Sequence, residues 1–437
     1  MNGPDNLLPS PIDSAAIPEV INHTQWPTQY FQMIDTSDAI FHVMVTRITY
    51  DLTQLDSSGF PALAEEQTEL VDSDEFVDAP NLSSVLQESD YAPYKPKCDV
   101  LFANAVAYAP LTGRKRKPLA RFPAGVRIEF ADGGQWQKLL TVTGPRSLSK
   151  GALGGLHLTE PEPTLAVPIR YEHAFGGTNQ WWKGWPTPKE DDQRFEIDLH
   201  HDQNPIGCGL IDGNWQKKST LSSFPAPQIE AFAEPFTQAH AEAAARSAGN
   251  PEAEPVYPVV GLGAVGRWWL PRRARAGSYN DLWKQTRWPK LPLDFDFGYW
   301  NAAPEDQQID YPVGGEKLML VNLIDPERSA DGALWFRIPK QDLKLLVRLE
   351  VGAMLFAPMK IDTLIVDLDA MQLVVVRRTL VGASADVRQL ELGTWPDGTT
   401  METSEAMAHL IAAQNQGKAA RSNASGASSA SGTNRHG

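Results

Sequence analysis

The chain has 437 residues, of which 42% are hydrophobic and 21% charged, so it is long enough for two or more globular domains with a large core. Its formal net charge of −15 repels phosphate groups, which argues against nucleic acid and anionic membranes as partners. Two cysteines cannot form a disulfide framework, and no signal-like start or run of about 18 apolar residues occurs, so we expect a cytoplasmic protein.

Strand-like segments rich in Val, Ile, Thr and aromatic residues recur along the chain, behind an extended N-terminal arm over residues 1–25. The 33 glycines and 34 prolines are scattered through the sequence and disfavour long helices. The predicted strands are 41–52, 126–130, 139–143, 165–175, 317–323, 343–351, 361–368 and 373–381. The expected fold is mainly β, with antiparallel sheets in a sandwich or barrel-like arrangement, long irregular loops and a few short helices.

Three helices are predicted, over residues 239–248, in the segment that follows the start signal Ser278, and over 403–414. The first has good helix formers but no wide apolar stripe, so it reads as a surface insertion. Segment 55–95 is acidic and loop-like.

These elements divide the chain into regions. A β-rich module is predicted over 26–370, with a boundary between two lobes near 225–257. Residues 371–415 supply a C-terminal strand and helix, and 416–437 lack large apolar residues and should be a disordered tail.

Gly261, Gly263 and Gly266 have the spacing of a dinucleotide-binding loop. Such a loop must open a helix whose N-terminus faces the pyrophosphate. Here the glycines precede Trp268, Trp269 and Pro271, which argue against a helix at that place. The sequence therefore predicts an irregular glycine loop and no nucleotide cofactor.

In segment 165–175 the strand period of two separates an apolar face from a charged face. The apolar residues, which should be core, are Val167, Ile169, Tyr171 and Phe175. Arg170 and Glu172 lie on the opposite face, where charge-assisted bonds could either hold loops or contact a partner.

Acidic and histidine residues offer two further readings. Asp294 and Asp296 fall on one side of a segment predicted to be extended, near many tryptophans, as in a glycan-binding or glycan-cleaving site. Two aspartates on one strand face do not place an acid and a base across a bond, however. His200, His201 and Asp202 alternate sides in a strand, so no metal site is predicted.

An ordered series of motifs resembles one family, the domain-of-unknown-function family 2169 that is found beside VgrG, PAAR and toxin genes of bacterial type VI secretion systems. The motifs are "KPKCDVLFANAVAYAP" (95–110), "LLTVTGPRSL" (139–148), "VPIRYEHAFGG" (167–177), "NPIGCGL" (204–210), "FPAPQIEA" (224–231), the stretch 261–307 and "GGEKLMLVNL" (314–323). The resemblance covers about residues 26–370.

This resemblance implies a non-catalytic adaptor or chaperone without a cofactor. Its partners would be a type VI effector toxin, a PAAR protein and VgrG, and it would assist loading of the effector in the bacterial cytoplasm. The alternative is an enzyme on a β scaffold that acts on glycans through Asp or Glu residues. Genomic neighbours and Ala replacement of the acids would separate the two.

The motifs supply the candidate site residues, which either contact a partner or hold loops in shape. They are Arg170, Glu172, Trp269, Arg272, Asp294, Asp296, Asn301, Asp306 and Gln307. Glycines expected at turns or close backbone approaches are Gly176, Gly177, Gly207, Gly209, Gly261, Gly263 and Gly266.

Overall fold

A computed structural model describes residues 15–112, 115–151, 155–177, 201–211, 222–247, 256–329, 333–383 and 386–395. Within these ranges the chain is mainly β with a few short helices, which confirms the predicted fold class. Most strand pairs are antiparallel, and none of the described sheets closes into a barrel.

Strands follow one another along most of the chain, and the short helices fall in its second half. The first strands are β1 (Glu19–Asn22), β2 (Thr28–Ile34), β3 (Ile40–Leu55), β4 (Pro61–Leu63), β5 (Glu75–Phe76), β6 (Val85–Gln87), β7 (Cys98–Ala103), β8 (Val106–Tyr108), β9 (Leu111–Thr112), β10 (Lys115–Arg116), β11 (Arg121–Glu129), β12 (Gln135–Thr143), β13 (Ser147–Lys150) and β14 (Leu156–Leu158). The later strands are β15 (Ala166–Pro168), β16 (Phe175–Gly176), β17 (Cys208–Gly209), β18 (Ser223–Pro225), β19 (Ile229–Ala231), β20 (Gln308–Ile309), β21 (Lys317–Val321), β22 (Ala333–Arg337), β23 (Leu343–Leu349), β24 (Met354–Pro358), β25 (Lys360–Asp367), β26 (Gln372–Gly382) and β27 (Val387–Thr394). The helices are α1 (Gln238–Ser247), α2 (Leu270–Arg273) and α3 (Asp281–Thr286), and 3₁₀ turns span Tyr171–His173, Phe297–Trp300 and Glu305–Gln307.

A seven-stranded sheet is the central layer. Its order is β2-β3-β26-β25-β7-β20, with β4 added beside β3. All its pairs are antiparallel except β25 with β7. The long β3 and β26 run side by side, and both are rich in β-branched residues, which favour the extended backbone.

One face of the central sheet packs into the main core together with two other sheets. These are the five-stranded β19-β12-β11-β21-β22 and the four-stranded β1-β27-β23-β24. Met44 and Ile48 of β3 point into this core, whereas Val45, between them, points to the opposite face. The period of two along β3 therefore gives the sheet two buried faces.

The second face of the central sheet is covered by long loops and by the small two-stranded sheet β5-β6. A small apolar cluster there joins Val45 and Val376 of the sheet to Val85 of segment 55–95 and to Ala302. The loop that supplies Ala302 belongs to residues 261–307, which we call the motif loop. Part of the motif loop thus lies over this face, whereas its Trp269 packs in the main core.

A second apolar core lies beside the main one, and α1 belongs to it. Ala241 and Ala244 of α1 are buried against Phe236 and Tyr257. The helix was predicted; only these two of its residues are buried, so it lies at the surface with one face packed on this core. Alanine side chains are small enough to let the helix approach the aromatic rings closely, so no wide apolar stripe is needed.

Three local predictions need correction. The predicted strand 165–175 stops at Pro168 and becomes a 3₁₀ turn, although its four apolar residues are buried as expected. Pro271 does not prevent a helix, because it occupies the first turn of α2, where a missing N–H costs nothing. Helix α3 is capped by Asn280, whose side chain accepts from Trp283 N, and not by Ser278.

The predicted helix 403–414 and the predicted tail 416–437 lie outside the described residues. In the described part of the chain, no helix has both the length and the apolar character needed to cross a membrane.

Candidate functional site

Arg272 joins the motif loop to segment 55–95. It extends from α2 into the interior, where its Nε donates to Tyr299 O at 2.9 Å and its Nη1 to Val265 O at 3.0 Å. Its Nη2 pairs with the carboxylate of Glu88. Burial raises the pKa of Glu88, but the charges of Arg272, Lys95 and Arg267 outweigh burial and leave that pKa below its ordinary value. Arg272 is therefore a buried structural clamp.

Asn301 and Gln307 hold the other end of the motif loop against β7. Asn301 Nδ2 donates to Asp99 Oδ1 at 3.0 Å and to Lys97 O at 2.9 Å. Gln307 Nε2 donates to Val100 O and to Leu262 O. The amides of both residues thus donate to backbone carbonyl groups and, for Asn301, also to a buried carboxylate.

Asp99 is the acceptor around which this end of the loop is built. Its carboxylate is fully buried and accepts from the backbone N–H of Ala302 at 2.8 Å and of Ala303 at 3.2 Å. Lys95 Nζ donates to the same carboxylate at 2.8 Å. These donors come from two segments of the chain, so the buried carboxylate fixes the backbone around it.

Glu172 and Trp269 connect the 3₁₀ turn Tyr171–His173 to its surroundings. The Glu172 carboxylate accepts from both the backbone N–H and the hydroxyl of Ser84. Trp269 is buried and packs edge-to-face on Tyr171, with ring centres 5.1 Å apart. Arg170 is exposed at the surface. The first two side chains hold loops together, whereas the Arg170 side chain is open to solvent.

Three candidate carboxylates are exposed, yet each forms hydrogen bonds or an ion pair within the chain: Asp294, Asp296 and Asp306. Asp294 accepts from Ser278 N at 3.0 Å and Ser278 Oγ at 2.7 Å, and these hydrogen bonds lower its pKa. Asp296 caps the 3₁₀ turn Phe297–Trp300 and pairs with Arg275 at 2.7 Å. Asp306 pairs with Lys138. The segment around the first two is a turn rather than the extended stretch that was predicted.

The glycines of the motifs occupy crowded or left-handed backbone positions. Gly176, Gly177 and Gly209 have φ of 144°, 112° and 94°, values that side-chain-bearing residues rarely adopt. A Cβ on Gly207 would lie 2.7 Å from Ala174 O. In the other cluster, a Cβ on Gly261 would meet the Tyr171 ring and one on Gly266 the Trp269 ring, each at 2.7 Å, whereas Gly263 has more room.

A set of exposed apolar side chains in the motif loop was not predicted from the sequence. Residues 278–293, which we call the aromatic loop, expose Tyr279 (50%), Leu282 (67%), Trp288 (52%) and Leu293 (71%) to solvent. Tyr279 also packs edge-to-face on Trp283, with ring centres 4.7 Å apart. The sequence did contain an indication of this exposure. The segment is short and contains prolines, and it carries more large apolar residues than it could bury against the rest of the protein.

The aromatic loop is held in one conformation by polar contacts. Trp283 Nε1 donates to Lys290 O at 2.9 Å. Arg287 donates to Asp38 at 2.9 and 3.1 Å, and Lys290 donates to the same carboxylate at 3.0 Å. These cations lower the pKa of Asp38, which lies in the turn between β2 and β3. The exposed side chains are therefore presented on a fixed backbone.

The candidate carboxylates of this site all have partners within the chain. Each carboxylate predicted as a candidate accepts hydrogen bonds or pairs with a cation of the same chain. Within the described ranges, no group of three His, Cys, Asp or Glu residues could hold a metal ion. Of the histidine cluster that was considered, His200 lies outside those ranges. The arrangement is a rigid loop with exposed aromatic and aliphatic groups.

Comparison with known proteins identifies a family. The model of the family described as "Uncharacterized protein conserved in bacteria (DUF2169)" matches residues 38–378. No curated protein and no solved structure matches the chain. The family match spans well over half of the 437 residues and includes every candidate site residue, so the chain belongs to the DUF2169 family.

Proposed function

We propose that this protein is a non-catalytic adaptor that binds its partner through the aromatic loop. The observation that carries the proposal is the exposure of four apolar side chains on a loop that Arg287 and Lys290 attach to Asp38. These side chains are Tyr279, Leu282, Trp288 and Leu293. Large exposed apolar side chains close together mark interaction sites in soluble proteins. Aromatic anchors of this kind dominate the energy of protein interfaces.

The buried polar residues of the motif loop support this role because they hold the loop in place. Arg272, Asn301 and Gln307 fix the two ends of the motif loop to the central sheet and to segment 55–95. A loop that is already ordered loses little conformational freedom when a partner binds, so more of the contact energy appears as affinity.

The identity of the partner rests on the family resemblance. We propose a type VI secretion effector toxin, or the PAAR portion that it carries, which the adaptor holds in the bacterial cytoplasm and helps to load onto VgrG. An acidic chain with a net charge of −15 keeps such a complex soluble and suits a basic cargo.

The test is co-purification with the effector and PAAR proteins encoded beside the gene. The double variant Leu282→Ser/Trp288→Ala should lose the partner while its thermal midpoint stays unchanged. A matched control is Leu82→Ser/Trp335→Ala, which changes two similarly exposed residues of the same types outside the aromatic loop. Partner capture by the first variant would refute the assignment of the surface, and normal effector delivery by a deletion strain would refute the function.

A further inference from the structure

One stretch of β26 has a neighbouring strand on only one side. Residues 379–382 pair with β3. On the opposite side β25 begins at Lys360, opposite Arg378, and the chain before it bends away as β24 into the four-stranded sheet. Among the described residues, no strand pairs with 379–382 on that side or with the outer edge of β24. Such open edges can accept an added strand.

A cleft of about 280 Å³ lies where β25 would have continued. Ala357 and Pro358 of β24 form one side, and Thr379 and Leu380 of β26 form another. The remaining lining residues are Tyr94, Lys95, Tyr311, Lys360, Asp362 and Arg378. This volume is at the small end of ligand sites, so it suits the end of a chain better than a folded element.

The charges of the cleft favour an anion. Asp362 pairs with Arg378, and Lys95 pairs with Asp99, so these buried charges balance. Lys360 is exposed, forms no ion pair with any described carboxylate, and places its ammonium 4.7 Å from the centre of the Tyr311 ring. Arg378 also has a buried Nε with no hydrogen-bond partner in the described structure. The cleft therefore has one accessible positive charge without a counter-ion among the described residues, that of Lys360, beside the Tyr311 ring.

The direction of β25 specifies which end of a peptide would enter. β25 runs antiparallel to β26 and starts at Lys360. A peptide strand that paired with residues 379–382 in the same direction as β25 would therefore end, at its C-terminus, next to Lys360. We infer that this cleft binds the C-terminal carboxylate of an extended peptide, with its last apolar side chain between Tyr311, Leu380 and Ala357.

None of the residues that line this cleft belongs to the aromatic loop, so the inference does not rest on the proposed adaptor function. The probes are fluorescent hexapeptides that end in Val, Leu or Phe with a free carboxylate, together with the same peptides amidated. Fluorescence anisotropy with the full chain should show binding of the acids and about tenfold weaker binding of the amides, the value of one charge-assisted hydrogen bond.

Lys360→Gln should weaken the binding of the peptide acids about tenfold and leave the binding of the peptide amides unchanged. Lys317→Gln is the matched control, because Lys317 also lies over an aromatic ring, at 4.8 Å from that of Trp335, but not in this cleft. Equal binding of acids and amides, no binding of either, or no effect of Lys360→Gln would overturn the inference. Displacement by acetate as effective as that by hexapeptide acids would indicate a small-anion site and would also overturn it.

Discussion

Arg272 and Glu88 form a buried ion pair although 184 residues separate them in the chain. Both side chains are almost wholly inaccessible, and the pair joins the motif loop to segment 55–95 over the loop-covered face of the central sheet. Neither partner could be matched to the other from the sequence, since no local pattern links them. The fold of the site depends on this pair and on the Asn301–Asp99 contact.

Loss of the Glu88 charge should destabilise the protein strongly. In Glu88→Gln, Arg272 remains buried without its counter-ion, and breaking such a pair costs about 3 kcal/mol. Urea unfolding followed by tryptophan fluorescence measures this loss. Asp281→Asn is the control, because Asp281 forms an exposed pair with Lys284 and should leave the free energy of unfolding nearly unchanged. Equal losses in the two variants would contradict the clamp.

The same pair should make stability depend on acid pH. The pKa of Glu88 in the folded protein is below its ordinary value of 4.5, so its contribution is complete above that value and is lost as pH falls through the lower folded pKa. Glu88→Gln lacks this group. The difference in unfolding free energy between wild type and variant should thus be constant at about pH 6 and shrink towards pH 3. A difference that grows towards low pH would contradict the assignment.

Removal of the Asn301 amide should also be costly. Asn301→Ala leaves Lys97 O without its donor and takes one hydrogen bond from the buried Asp99 carboxylate, which should cost about 1–3 kcal/mol. Gln285→Ala, at an exposed amide of α3, is the comparison and should have little effect. Chemical unfolding of both variants decides the matter, and an unchanged midpoint for Asn301→Ala would show that the amide is dispensable.

The sequence predicted several of the long strands because β-branched and aromatic runs reflect local preference, but it missed others, such as β2 and β27. Segments 41–52 and 373–381, for example, coincide with most of β3 and β26. It also marked Arg272, Asn301 and Gln307 as important. It could not show that these side chains are buried, because burial depends on which distant segment covers the sheet, and that pairing is a property of the tertiary fold.

The exposed residues were missed for a related reason. The sequence does not distinguish the tryptophans that are covered from those that are not: Trp269 is buried, whereas Trp288 is exposed. Whether a tryptophan is covered is decided by the position of the aromatic loop over Asp38, a residue far away in sequence. Apolar character alone does not distinguish a core side chain from an exposed contact side chain.

Gly176 should tolerate no side chain. Its φ is 144°, and a Cβ there would lie 2.2 Å from Asn204 O, so Gly176→Ala combines backbone strain with a clash against backbone. Gly133 has φ of 86° but nothing within 4 Å, so Gly133→Ala tests the strain alone. We expect about 1 kcal/mol for Gly133→Ala and at least about 3 kcal/mol for Gly176→Ala, or failure of the latter to fold. Similar thermal midpoints for the two variants would contradict the expected clash at Gly176.

Both thiols should react slowly in the native protein, and Cys208 should react faster than Cys98. Cys98 is fully buried in β7, and burial raises its pKa well above the ordinary value. Burial raises the pKa of Cys208 to about 12, although this side chain in β17 is less completely covered. Since the thiolate is the reactive form, labelling with a chromogenic disulfide must wait for an opening of the structure. Cys98→Ser and Cys208→Ser variants report the two rates separately. We expect slower labelling of Cys98 than of Cys208, and fast labelling of both in urea; native labelling at the unfolded rate would contradict the two buried positions.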